Sequence, residues 1–272
     1  MNDRIIEESR LDRGYRKLLE IDGNAGEEVK DSLNDFAPDL VRYMLEYSFG
    51  DIYNREGLDV RSKEIAVVAA LTAIGNAMPQ LKVHINAALN VGCTISDVKE
   101  VILQMSSYSG FPSSINAMNV LKEVVANRVN QGIVDVNGSV PSECIDPMKR
   151  YEEGSKNLSM LDSDQVRILE EAYIDFSPEL VQYVVHSYAD IISRDNLCKR
   201  DRQIATIAAL TALGTAAPQL QFHIKAGLNV GLTIDEVKEI MLLMTVYVGF
   251  PAAINGMNIL KEVAMKSFGK NA

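Results

Sequence analysis

Two of the three histidines in this chain occupy the same place in a duplicated segment, and they are the first candidates for acid–base chemistry. His84 ends the run Pro-Gln-Leu-Lys-Val-His, and His223 ends the run Pro-Gln-Leu-Gln-Phe-His. Imidazole titrates near neutral pH, so it is the side chain best suited to carry protons there. A lone helical histidine more often has a structural role, but the repeated context weakens that alternative. We therefore predict catalytic roles for His84 and His223.

A carboxylate precedes the first histidine by twenty residues, on the helix predicted before it. A helix-turn-helix would bring Glu64 against His84, where the carboxylate would orient the imidazole and raise its basicity. The second copy has Gln203 at this place, and a neutral amide cannot stabilise an imidazolium. The alternative for Glu64 is a solvated residue in the first turn of a helix. The first copy is thus predicted to be better equipped for catalysis.

Three further charged residues are candidates for binding an ionic substrate. Arg61 and Arg200 match between the copies, and a guanidinium group suits bidentate recognition of a carboxylate. Glu46 lies on an earlier predicted helix, near a place that Val185 and His186 occupy in the second copy. Surface positions are the alternative for both arginines.

A matched Tyr-x-Gly-Phe-Pro segment supplies possible hydrogen-bond donors. Tyr108 and Tyr247 begin this segment in the two copies. Glycine and proline interrupt a long apolar stretch here, which predicts a break between two helices. The tyrosines are therefore candidates for substrate binding, and packing at the break is the alternative.

The repeat defines the predicted domain organisation. Residues 58–124 and 197–263 are identical at about 40 of 67 positions. Weaker matches extend the copies to residues 10–126 and 150–266. Residues 127–149 contain glycines and prolines with few periodic apolar residues, which predicts a linker.

The periodic segments predict an all-α fold with about six helices in each copy. Residues 61–74 show a 3.6-residue apolar stripe rich in alanine. Pro38 and Pro178 suit the first turn of a helix, and Thr94 and Thr233 suit helix caps. No alternating runs bounded by hairpin turns predict strands.

Composition excludes several classes of protein. The 272 residues carry a net charge of −10, which leaves no basic surface for nucleic acid or anionic membranes. No apolar run is long enough to span a bilayer, and the charged start lacks the apolar core of a signal peptide. We therefore predict a cytoplasmic protein. Cys93, Cys144 and Cys198 have no cysteine counterparts in the other copy, which argues against disulfides and against a thiolate metal site.

These segments together resemble the carboxymuconolactone decarboxylase family. The resemblance is carried by residues 46–53, 57–59, 61–64, the Leu81-x-x-His84 motif and residues 108–112, and it covers both copies. It implies two tandem copies of an alkylhydroperoxidase-D-like helical domain. It also implies a homo-oligomer, with a trimer of tandem chains mimicking a hexamer of single domains.

The resemblance separates two kinds of chemistry. Alkylhydroperoxidase-like members carry Cys-x-x-Cys before the histidine, whereas this chain has Ala77 and Gln80, and the second copy has Ala216 and Gln219. Without thiols, peroxidase chemistry by that pair is excluded. The resemblance therefore implies a lyase without metal or organic cofactor that decarboxylates a small carboxylated lactone, similar to 4-carboxymuconolactone.

If the chain is such a lyase, Arg61 would bind the carboxylate of a small-molecule substrate. His84, oriented by Glu64, would act as acid and base. Two alternatives stay open. One is another small-acid enzyme of the same fold, such as an isomerase, a hydrolase or a thiol-independent oxidoreductase. The other is a non-catalytic oligomeric binding protein. A closed polar pocket beside His84 with an arginine in reach would favour the lyase, and an open or apolar pocket would favour binding.

Overall fold

The computed structural model describes residues 8–142 and 145–268, and within these residues it contains helices and no strands. The predicted all-α class is confirmed. The α-helices are α1 (Arg10–Ile21), α2 (Asn24–Asn34), α3 (Pro38–Tyr43), α4 (Val60–Ile74), α5 (Met78–Asn90), α6 (Ile95–Met105), α7 (Phe111–Asn130), α8 (Arg150–Leu161), α9 (Gln165–Tyr173), α10 (Pro178–Ser187), α11 (Lys199–Leu213), α12 (Ala217–Asn229), α13 (Ile234–Tyr247) and α14 (Gly249–Phe268).

Short helices of other pitch complete each copy. A π-helical segment, Met44–Tyr53, continues α3, and a shorter one, Tyr188–Ile192, continues α10. A 3₁₀ turn, Pro147–Lys149, precedes α8. The widened turns of a π-helix re-aim side chains and often occur at functional sites. In this chain they carry several of the aromatic residues described below.

The helix boundaries follow the predicted local signals. α3 and α10 begin at Pro38 and Pro178, and both threonine caps form reciprocal capping boxes, Thr94 with Asp97 and Thr233 with Glu236. The predicted break is present as well, because α6 ends at Met105 and α7 begins at Phe111. α7 extends to Asn130, into the segment predicted to be a linker.

The two central helices, α4 and α11, pack against each other across the two copies. The helix predicted from the apolar stripe is present as α4, and its other faces are buried as well, from Ser62 to Ala73. Its alanines allow close approach of α11, while α5 and α6 cover other faces. This central pair holds Glu64 and Gln203 in the interior.

Glycine permits a close approach of helices at one matched place in each copy. A Cβ atom added to Gly14 would stand 1.9 Å from the carbonyl oxygen of Leu45, and one added to Gly154 would stand 2.1 Å from that of Val185. No larger residue fits either place without backbone movement. The glycines thus let α1 pack directly on the π-helical segment that carries Tyr47 and Tyr53, and let α8 pack on α10.

Some sequence-based predictions concern residues outside the described ranges. Cys144 and the charged start at residues 1–4 belong to this group. Cys93 and Cys198 are both free thiols. Within residues 8–142 and 145–268, no helix has the length and apolar character needed to cross a bilayer.

Candidate active site

The structure brings Glu64 and His84 into direct contact inside the first copy. The Glu64 Oε2 and His84 Nδ1 atoms lie 2.9 Å apart, and both residues are buried. α4 supplies the carboxylate and α5 supplies the imidazole, as the spacing of the two residues predicted. The contact fixes the ring and favours a proton on Nδ1.

A chain of hydrogen bonds extends from this pair into the second copy. Tyr53, at the end of the π-helical segment, donates its hydroxyl to Glu64 Oε1 over 2.6 Å. The hydroxyl oxygens of Tyr53 and Tyr247 lie 2.7 Å apart, and the Tyr247 ring meets His84 edge-on at 4.9 Å between centroids. Because Tyr247 ends α13, this site is built from both copies.

The surroundings shift the pKa values of these groups. Burial disfavours the charged imidazolium, but the Glu64 carboxylate and its hydrogen bond outweigh burial, and the pKa of His84 is raised above its usual value. Burial and the nearby Glu64 charge raise the pKa values of Tyr53 and Tyr247 well above that of a free phenol. The tyrosines therefore act as neutral donors, and the histidine can hold a second proton near neutral pH.

A cavity of about 530 Å³ opens beside His84. Its wall is mainly apolar and is formed by both copies: Leu18, Asp22, Gly26, Val29, Leu33, Leu40, Tyr43, Met44, Tyr47, Ser48, Phe49, Leu71, Ala77, Gln80, Val83, His84, Thr245, Val246, Tyr247 and Phe250. Among the described residues, His84 Nε2 has no hydrogen-bond partner. That nitrogen is therefore available to a ligand in the cavity.

The second histidine has a different environment. Gln203 Oε1 lies 2.9 Å from His223 Nδ1, and the Tyr108 hydroxyl lies 3.3 Å from Nε2, so both ring nitrogens are occupied. Burial lowers the pKa of His223 to about 3, since no carboxylate offsets it. Phe222 packs edge-on against the ring where the first copy has Val83. This imidazole stays neutral at physiological pH.

Each candidate tyrosine lies beside the histidine of the other copy. Tyr247 packs against His84, and Tyr108 packs against His223. Packing of α4 on α11 sets the ends of α6 and α13 next to the opposite histidine. The order of residues along the chain does not indicate whether a tyrosine contacts the histidine of its own copy or that of the other copy.

The charged residues predicted to bind substrate do not line the cavity. Arg61 forms ion pairs with Asp97 and Asp201, at 3.1 Å and 2.7 Å. Arg200 pairs with Glu236 and also approaches Ser62. Both guanidinium groups are satisfied where the two copies meet.

Glu46 lies 3.8 Å from Arg10 and is likewise absent from the cavity wall. In the described part of the chain, no lysine or arginine lines this cavity. The pocket beside His84 therefore lacks the arginine that the lyase hypothesis predicted, and its wall is mainly apolar.

Sequence reasoning missed three polar residues at the site. Tyr53 ends the segment 46–53 that carries the family resemblance, and its replacement by Ile192 in the second copy accompanies the change from Glu64 to Gln203. Tyr47 and Thr245 were also missed, and their hydroxyls join the two copies over 2.6 Å at the cavity wall. The joint replacement of Tyr53 and Glu64 in the second copy was the sequence signal that could have identified Tyr53.

A fourth missed residue is Asp22, which is buried and lines the cavity. The described residues contain no group of three or more histidine, cysteine, aspartate or glutamate side chains placed to hold a metal ion. The chemistry that this arrangement offers is proton transfer through His84, supported by Glu64 and two phenols.

The fold and the site define a tandem all-α protein with a histidine site built from both copies. The chain matches the carboxymuconolactone decarboxylase family over residues 38–123 and 178–262, and it belongs to that family. It is 34% identical over 94 residues to the 4-carboxymuconolactone decarboxylase of Acinetobacter baylyi, which covers 35% of this chain and 69% of the relative.

Two further relatives match segments of similar length. An uncharacterized 15.0 kDa protein of Paracoccus denitrificans is 34% identical over 96 residues, covering 35% of this chain and 72% of its own length. The nitrosuccinic acid decarboxylase of Metarhizium robertsii is 31% identical over 88 residues, covering 32% of this chain and 60% of its own length. Two of the three relatives are thus decarboxylases by name.

Proposed function

We propose that this protein is a cofactor-free carboxy-lyase that decarboxylates a small carboxylic acid at the His84 site. The observation that carries the proposal is the buried Tyr53–Glu64–His84 chain, which ends on a free Nε2 atom at a cavity, in a chain related to decarboxylases. A carboxylated lactone similar to 4-carboxymuconolactone is the first substrate to assay.

The reaction needs one proton and a place for negative charge. When the bond to carbon dioxide breaks, its electron pair moves into a conjugated carbonyl group and forms an enolate. The protonated His84 Nε2 would donate a hydrogen bond to that oxygen, with Glu64 stabilising the imidazolium. Protonation of the substrate carbon by His84 and recovery of a proton from water would complete the cycle. No metal or organic cofactor is required for these steps.

The glutamine in the second copy suggests the variant that tests this mechanism. Glu64→Gln gives the first copy the amide that the second copy has in Gln203, and it preserves the size of the side chain. We expect wild-type protein to release carbon dioxide in stoichiometric amounts with product, measured together with ultraviolet absorbance. Glu64→Gln should lower kcat roughly 100-fold or more, as expected for loss of acid–base catalysis.

An unchanged far-ultraviolet circular dichroism spectrum and unfolding midpoint would confirm that the Glu64→Gln protein remains folded. Equal turnover by the two proteins would contradict the proposed role of the pair. Wild-type protein that binds acids without releasing carbon dioxide would favour the second candidate, a binding protein. The apolar cavity wall and the lack of a described cation in it are the observations that favour that candidate.

A further inference from the structure

Ser48 places a hydroxyl group without a protein partner at the cavity beside His84. The residue lies within the π-helical segment Met44–Tyr53, is only 8% exposed and forms part of the cavity wall. Its Oγ atom makes no hydrogen bond to any described residue, and the atom is not fully enclosed by protein. A buried hydroxyl normally has a hydrogen-bond partner, so this one is available to a ligand in the cavity.

The matching serine of the second copy does have a partner. Ser187 corresponds to Ser48, and its hydroxyl donates to the Val184 carbonyl oxygen over 2.7 Å. Ser187 is the last residue of α10, and a helical serine commonly bonds back to a carbonyl oxygen one turn earlier. The two serines are thus identical in type and differ in what their hydroxyls bind.

A one-residue insertion in the first copy accompanies this difference. Arg10 pairs with Asp51, and the two residues are 41 positions apart. The same ion pair recurs in the second copy between Arg150 and Asp190, which are 40 positions apart. The π-helical segment is also longer in the first copy, with ten residues against five. Because a π turn takes one more residue than an α turn, it accommodates the inserted residue and re-aims the side chains that follow, Ser48 among them.

The half-buried hydroxyls of the cavity wall are engaged within the protein. The Thr245 hydroxyl donates to a backbone carbonyl oxygen, so Tyr47 supplies the proton of the hydrogen bond between these two residues. The Tyr53 hydroxyl donates to Glu64, so Tyr247 supplies the proton between the two tyrosines. Each hydroxyl has one proton, and neither Tyr47 nor Tyr247 has one left for a ligand.

Ser48 therefore carries the buried hydroxyl proton of the described cavity wall that no protein group accepts. The Tyr43 hydroxyl and the Gln80 amide also make no hydrogen bond to described residues, but both of these residues are exposed. No lysine or arginine lines the described wall, so an acid in this cavity depends on neutral donors and on His84. A carboxylate oxygen is the strongest acceptor that such an acid presents.

We propose that Ser48 binds the substrate of this site by donating its hydroxyl to a carboxylate oxygen. The inference rests on the proposed function of the His84 site and adds a binding residue to that site. A hydrogen bond to the departing carboxylate would oppose its loss, so Ser48 holds a carboxylate that stays on the product. The bound acid then shares the cavity with the free Nε2 atom of His84.

The test is binding of a stable lactone acid, 5-oxotetrahydrofuran-2-acetate, at pH 7. This probe keeps a side-chain carboxylate, but it has no ring double bond and no carboxylate to lose, so binding is measured without turnover. The Cε1–Hε1 nuclear magnetic resonance signals of the histidines report where it binds. In wild-type protein the probe should shift the His84 signal saturably and leave the His223 signal unchanged. The methyl ester of the probe, which is neutral, should bind several-fold more weakly.

Ser48→Ala should raise the dissociation constant of the probe about tenfold, as for loss of a hydrogen bond to a charged group, and should reduce the preference for acid over ester. The unfolding midpoint should not fall, because this hydroxyl makes no hydrogen bond within the described fold. Ser48→Cys replaces a strong donor by a weak one at similar size, and it should raise the dissociation constant as well. Ser187→Ala is the matched control. It removes the hydrogen bond to Val184 and should keep the wild-type affinity for the probe.

An unchanged dissociation constant in both Ser48 variants would overturn the inference, and so would equal losses in Ser48→Ala and Ser187→Ala. Equal weakening of acid and ester by Ser48→Ala would show that the hydroxyl does not bind the carboxylate. A probe that leaves the His84 signal unshifted at millimolar concentration would also overturn the inference. Binding that depends on Ser48, in a protein that releases no carbon dioxide, would refute the proposed lyase function and leave the binding role of Ser48 intact.

Discussion

At the scale of single residues, the two histidines differ in the partners of both ring nitrogens. His84 Nδ1 faces a carboxylate and its Nε2 is free, whereas His223 Nδ1 faces an amide and its Nε2 meets Tyr108. The exchange of a carboxylate for an amide moves the two imidazole pKa values in opposite directions. Only the first imidazole can carry a proton into a reaction near neutral pH.

These opposite shifts predict two distinct titrations. His84 should keep its second proton above pH 6.5, and His223 should stay neutral until the pH falls towards about 3. The Cε1–Hε1 signals in proton–carbon correlation spectra, recorded from pH 8 to pH 4.5, measure this directly. Assignment uses His84→Gln, His186→Gln and His223→Gln. A His223 signal that titrates near pH 6.5, or a His84 signal that titrates below it, would contradict the structure.

The depressed pKa of His223 also affects stability. Below about pH 6.5 the unfolded chain binds a proton at this histidine, and the folded chain does not until about pH 3. Within that window the unfolded state binds more protons, so this residue lowers the free energy of unfolding as the pH falls. His84 has the opposite sign, because its raised pKa favours the folded state at low pH and that contribution is lost as the pH rises through it.

At the scale of helices, α13 of the second copy places Tyr247 at the His84 site of the first copy. Replacing Tyr247 by Phe removes the hydroxyl that meets Tyr53, while the ring that packs on His84 remains. We expect Tyr247→Phe to lower kcat/KM for the acid substrate about tenfold, as for loss of one buried hydrogen bond. Tyr108→Phe is the matched control, since its hydroxyl lies beside His223.

Steady-state kinetics of the two tyrosine variants therefore show which tyrosine acts with His84. The structure pairs His84 with Tyr247, and the alternative is Tyr108 of the same copy. Tyr108→Phe should stay within about twofold of wild type, which corresponds to under 1 kcal/mol. The reverse order of effects would show that each tyrosine serves the histidine of its own copy.

Much of the helical structure could be predicted from the sequence. Helix starts at Pro38 and Pro178, the two threonine caps and the Glu64–His84 contact follow from local spacing and capping chemistry. The all-round burial of α4 and the placement of Tyr247 could not be predicted, because both depend on how the copies pack. Asp22 gave no local signal either, since its burial comes from distant helices.

At the scale of the whole molecule, matched ion pairs join the two copies. Arg55 pairs with Glu239, and the corresponding residues Arg194 and Glu100 pair in the opposite sense. Glu100 also holds the fully buried Arg202 at 2.9 Å. A separated copy would leave the buried Glu100, Glu239 and Arg202 without these partners, and it would lose Tyr247 from the His84 site. Both copies are therefore needed to build the His84 site.

Exposed apolar residues also recur at matched places on the two copies. Phe36 and Phe176 are each about nine-tenths exposed, and Tyr43 and Tyr183 are both exposed. Matched exposed apolar residues are typical of surfaces that contact other subunits. They support the homo-oligomer expected from the family resemblance, and the trimer of tandem chains stays a prediction.

We propose that one composite site, centred on His84, performs the chemistry and that His223 does not. The most direct measurement compares His84→Gln and His223→Gln for acid-dependent release of carbon dioxide, with folding checked by circular dichroism. We expect His84→Gln to lower turnover roughly 100-fold or more. We expect His223→Gln to keep turnover near that of the wild type. Equal losses in the two variants, or a greater loss in His223→Gln, would contradict this proposal.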